Sequence, residues 1–63
     1  MASSREIAAR LEKEGWTLVR QSGSHRQYKH PTKPGRVTLP HPVKDLPVGT
    51  LRSIYRQAGW AWP

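Results

Sequence analysis

An α+β fold in the order α-β-β-β-α is predicted by three features of this sequence. An apolar stripe at helical spacing lies near each end, three short β-prone runs lie between them, and Gly- and Pro-bearing turns separate the runs. Three strands joined by tight turns make a small antiparallel sheet. Both helices must bury their stripes on one face of it, which leaves the opposite face open to solvent or to a partner. The 63 residues are expected to form one domain, residues 1–63. A chain this short buries only about 60% of the surface its unfolded form exposes, so its core is marginal.

The first helix is expected over residues 4–14. Ser3 and Glu6 have the spacing of a capping box, and Ile7, Ala8 and Leu11 share one face. Gly15 suits the position after the helix, where a positive φ is needed. WTLVRQ, residues 16–21, reads as the first strand, with Trp16 and Leu18 on one face and Val19 on the other. Ser22 and Gly23 open a turn into HRQYKH, residues 25–30, and Pro31 ends that ladder because it has no N–H. PTKPG is the next turn, and RVTL, residues 36–39, the third strand. Pro47 fits the first turn of the last helix, Leu51, Ile54, Tyr55 and Ala58 form its buried face, and Gly59 stops it. The tail holds Trp60 and Trp62, which either fold back on the sheet or stay mobile.

Charge narrows the partner. Eleven Lys and Arg oppose four Asp and Glu, a net charge of +7, and after Gly15 the only acid is Asp45. Such a surface attracts polyanions through its field and through counterion release. Nucleic acid is the first expected partner and an acidic protein the second. The chain has no cysteine, which excludes disulfides and thiolate metal sites. No apolar run approaches the roughly 20 residues that span a bilayer, and MASSREI lacks a signal-peptide core. The expected location is the cytoplasm, with no membrane partner.

One residue calls for a chemical explanation. Tyr28, the one large apolar residue of the second strand, should face the core, which puts Arg26 and His30 on its side. His25, Gln27 and Lys29 then fall on the open face, where packing does not require an imidazole. An imidazole titrates near pH 6.5 and suits proton transfer at neutral pH. A turn histidine that only caps a backbone group fits the residues equally well. His30 and His41 both precede proline and are expected to pair with backbone groups or phosphates. The histidine spacings match no metal-ligand pattern, so neither a metal nor another cofactor is expected. Other enzyme classes lack their parts: there is no carboxylate pair, no phosphate loop, and Ser24 and His25 are adjacent, so their side chains diverge on a strand.

The segments EGWTLVRQSGSHRQYKHP, GRVTLPHP and KDLPVGTLRSIYRQAG, taken together and in order, resemble the HicA family of toxins over about residues 4–60. In that family an EGW segment follows the first helix, and a G-S-H motif opens the second strand. An aromatic followed by K-H-P and then V-x-x-P-H-P come next, and the last helix ends in Q-A-G. Arg26 stands where the family often has a second histidine. The α-β-β-β-α order is also that of the double-stranded-RNA-binding domain. The resemblance implies that fold, an mRNA interferase activity that arrests translation, and silencing by a cognate HicB-like acidic antitoxin. It implies that the catalytic histidine is His25. Gly23 and Ser24, which shape the turn, and the basic Arg20, Arg26, Lys29, Lys33 and Arg36 become the supporting or RNA-binding candidates. The alternative is a non-catalytic RNA-binding module of the same fold.

Overall fold

The computed structural model describes residues 2–63. It shows α1 (Ser4–Lys13), β1 (Thr17–Ser22), β2 (His25–Lys29), β3 (Arg36–Pro40) and α2 (Val48–Ala58), the expected order. The sheet is antiparallel with strand order β1-β2-β3. This arrangement is consistent with a double-stranded-RNA-binding-domain-like fold.

Local chemistry sets most of the boundaries. The Ser3 hydroxyl accepts from the Glu6 N–H while the Glu6 carboxylate accepts from the Ser3 N–H, so two orphan donors of α1 are satisfied at once. These two contacts, the backbone one first, hold the Glu6 carboxyl below the usual carboxylate range. Gly15 takes φ +96°, and a Cβ added there would lie 3.1 Å from His30 Nε2. The positive φ favours glycine there, and a Cβ would also crowd the His30 ring. Between β1 and β2, Gly23 has φ +56° and Ser24 a negative φ. A glycine at the first central position of a two-residue loop is the signature of a II′ hairpin turn, whose twist matches the flanking strands.

The core lies between the helices and one sheet face. Ile7, Ala8 and Leu11 of α1 and Ile54 and Ala58 of α2 pack with Tyr28, Val37 and Leu39, and Trp16, Leu46 and Trp60 close the ends. Register explains the choice of face: Tyr28 pairs with Val37, and Leu39 stands two residues along on the same side. Trp16 is buried but precedes β1 and is not part of it. Leu18, opposite Tyr28, is on the core side yet 39% exposed, because the helices cover β2 and β3 and leave the edge strand uncovered. The tail folds back on the helices and not on the sheet. Trp60 donates its indole N–H to Glu14 at 2.8 Å and lies under Arg10, whose guanidinium carbon is 3.8 Å from the ring centroid. The hydrogen bond from Trp60, and then that from Arg10, hold the Glu14 carboxyl below the usual carboxylate range.

His30 leaves the ladder at the end of β2 and acts as a staple. Its Nδ1 accepts from the Thr32 and Lys33 N–H groups at 3.1 and 3.2 Å. That assigns the ring proton to Nε2, which donates to the Glu14 carbonyl at 2.9 Å. One imidazole so joins the end of α1 to the β2–β3 turn, with its ring edge-on to Trp16. The expectation that His30 pairs with backbone groups is met.

Candidate functional site

His25 is the first residue of β2, directly after the Gly23-Ser24 turn. It is fixed between Ser22 on β1 and Pro40 on β3, and its side chain is exposed. Partners across an antiparallel sheet share a face, so the open face carries Ser22, His25, Gln27, Lys29, Arg36, Thr38 and Pro40. No strand residue is acidic.

Arg20 joins this face through an irregularity. Leu18 pairs with Tyr28 but Arg20 pairs with Gln27, so Val19 is an extra, unpaired residue. Strict alternation from Leu18 would have turned Arg20 toward the helices. The bulge re-aims it to the His25 side, a recurrent use of bulges. Arg20, opposite Gln27, is the cation on this face closest in register to His25. Lys29 lies four residues along the strand, roughly 13 Å away at the usual rise. Directly opposite Lys29 stands Arg36. Like charges facing each other across strands destabilise a sheet, and a bound polyanion relieves that repulsion.

The other candidates are placed elsewhere. Arg26 pairs with Leu39 on the helix side of the sheet, half-buried, with its buried Nε hydrogen-bonded to no partner among the described residues. Lys33 donates from Nζ to the Ala58 carbonyl at 3.1 Å, where an ammonium caps the last turn of α2. Ser24 contributes its backbone: its carbonyl accepts from the His41 N–H at 2.7 Å. The structure therefore brings Arg20, Gly23, Ser24, Lys29 and Arg36 to the side or turn of His25, and separates Arg26 and Lys33 from it.

The His41 contact belongs to a clamp that no sequence signal pointed to. Ser4 is 1% exposed, and its hydroxyl accepts from the Val43 N–H at 2.8 Å. That leaves its proton for His41 Nδ1, also at 2.8 Å. The backbones of Ser4 and Val43 add a hydrogen bond of 2.8 Å. The first turn of α1 thus holds His41, and the His41 N–H holds the turn before His25. Ser4→Ala would leave the part-buried Val43 N–H without its acceptor, at a cost of about 1–3 kcal/mol. In a domain of this size that lowers Tm by at least roughly 5 °C. A Ser4→Ala protein that melts like the parent would contradict the clamp.

The shape of the site limits its ligand. A cavity of about 500 Å³ opens beside the clamp near Arg5, His41 and Lys44, and His25 does not line it. His25 lies instead on an open, acid-free surface, which fits an extended charged strand better than an enclosed small molecule. Among the described residues no group of His, Cys, Asp or Glu side chains is arranged to hold a metal ion. No helix among them is long and apolar enough to cross a membrane.

Comparison with known sequences gives this face a context. No curated protein matches the chain. A family profile described as the HicA toxin of bacterial toxin–antitoxin systems matches residues 4–60, which include all five elements and every residue of the His25 face. The chain belongs to the HicA toxin family.

Proposed function

We propose that this toxin is a metal-independent endoribonuclease that cleaves mRNA in the cytoplasm and so arrests translation, with His25 as its catalytic residue. The observation that carries the reading is His25 itself: an exposed imidazole at the end of a hairpin, on a cationic sheet face without carboxylates. RNA brings its own nucleophile, so the protein needs neither a Ser nor a Cys nor a metal. His25 takes the proton from the 2′-OH, the 2′-oxygen attacks phosphorus, and the bond from phosphorus to the 5′-oxygen breaks. General-base assistance of this kind is worth about 10²–10⁴-fold. Arg20, brought to this face by the bulge, balances the charge that builds on the phosphoryl oxygens. Lys29 and Arg36 hold a neighbouring stretch of backbone.

The 5′-oxygen also needs a proton. His30 has both ring nitrogens committed to backbone groups, His41 is held by Ser4 on the helix side, and the Tyr28 hydroxyl is buried. None of them faces His25. The proton therefore comes from water or from the His25 imidazolium formed in the first step. The cognate antitoxin is an acidic HicB-like protein that covers the open face around Gly23, Ser24, His25 and Lys29.

The nature of the products tests the chemistry. A labelled single-stranded RNA incubated with the protein and excess chelator should yield 2′,3′-cyclic phosphate and 5′-hydroxyl ends. The same strand with 2′-deoxy sugars should stay intact. Cleavage of the deoxy strand would overturn the 2′-OH mechanism, and activity abolished by the chelator would overturn its independence from metal.

A further inference from the structure

A second surface lies on the helix side, where the tail returns over α2. Arg52, Tyr55, Arg56, Trp60 and Trp62 line a groove of about 310 Å³, at the small end of ligand-site volumes. Trp62 is 39% exposed. It packs edge-to-face on Tyr55, with centroids 5.0 Å apart and planes at 82°, and the Arg52 guanidinium lies 5.4 Å from its centroid. Tyr55 in turn packs edge-to-face on Trp60, at 5.2 Å and 86°. Trp60 is anchored by its bond to Glu14 and by the Arg10 guanidinium above it.

Two properties of the groove point to one class of ligand. Its aromatic rings are held in fixed orientations before anything binds, so a flat ligand stacks without having to order them. Its two exposed rim cations, Arg52 and Arg56, have no carboxylate partner, since the one ion pair among the described residues joins Arg10 to Glu14. A π-face and a negative charge at stacking distance are the two halves of a nucleotide. An acidic peptide would satisfy the arginines and leave the indole unmatched.

We propose that Trp62, with Arg52 and Arg56, is a stacking platform for unpaired bases of single-stranded RNA, separate from the His25 face. The proposal rests on RNA being the substrate class. The helix layer stands between the groove and His25, in a molecule 17 Å through its thinnest direction. The platform therefore holds bases some nucleotides away from the scissile bond, and it contributes to binding and not to the chemical step.

The test is binding of the full chain to a short fluorescent 2′-O-methyl oligouridine, which lacks the nucleophile and cannot be cleaved. Anisotropy then reads the platform whether or not His25 is catalytic. Trp62→Ala should weaken binding at least about fivefold, the lower end for losing one base stack. Trp62→Leu should be as weak, because it keeps apolar bulk without a π-face, and Trp62→Phe should bind close to the parent. On the same backbone with abasic sites, parent and Trp62→Ala should bind alike. Thermal melts of the three variants verify that each is folded. Equal oligouridine binding by folded parent and Trp62→Ala would overturn the proposal. So would an equal loss on the abasic strand, or a Trp62→Ala defect confined to binding of the antitoxin.

Discussion

Tyr28→Ala is expected to leave the protein largely unfolded at room temperature. Tyr28 is fully buried at the centre of the core, paired with Val37 and packed beneath both helices. Truncating a buried aromatic costs about 3–5 kcal/mol, from lost transfer energy and the cavity left behind. A core of this size rarely supplies more than about 3–5 kcal/mol in total, so the substitution removes most of the margin. Tyr28→Phe separates the ring from its hydroxyl. The hydroxyl is buried and meets no hydrogen-bond partner among the described residues, so its removal should change stability by less than about 1 kcal/mol. Circular dichroism melts of the two variants decide the matter. A Tyr28→Ala protein that melts within a few degrees of the parent would mean that the core is built elsewhere.

Tyr28 also illustrates which parts of the fold were legible in the sequence. Its position followed from alternation along one strand, and the helix ends followed from a capping box and from Gly15 and Gly59, all governed by residues a few positions apart. The turn before His25 was legible for the same reason. What escaped depends on contacts between distant parts of the chain. Val19 resembles any strand valine, and only its pairing with β2 makes it the bulge that turns Arg20 to the open face. Lys33 looked like a free surface cation until α2 placed the Ala58 carbonyl beside it. Arg26 was already on the Tyr28 side by alternation, and the structure leaves it there, away from His25. The Ser4–His41 clamp joins residues 37 positions apart. The tail tryptophans carried too little pattern to say which layer they would join.

The same division governs what substitution at His25 should do. The side chain is exposed at the end of a strand, so its loss removes little buried surface and should change stability by within about 0.5 kcal/mol. Its chemistry has no substitute nearby. Gln27, Thr38, Lys29, Arg36 and Arg20 share its face, and none of them is an imidazole. The two other histidines are committed to structural contacts at the end of β2 and on the helix side. Loss of the base should therefore cost at least about 10²-fold in cleavage rate, with no change in the melting curve.

The decisive measurement is cleavage of a labelled single-stranded RNA by His25→Ala beside the parent, in excess chelator, with thermal melts of both proteins. The account predicts a variant that melts within a few degrees of the parent and has lost cleavage. A folded His25→Ala protein that cleaves at the parent rate would remove His25 from catalysis. A parent that binds the RNA but never cuts it would leave an RNA-binding module of the same fold in place of a ribonuclease.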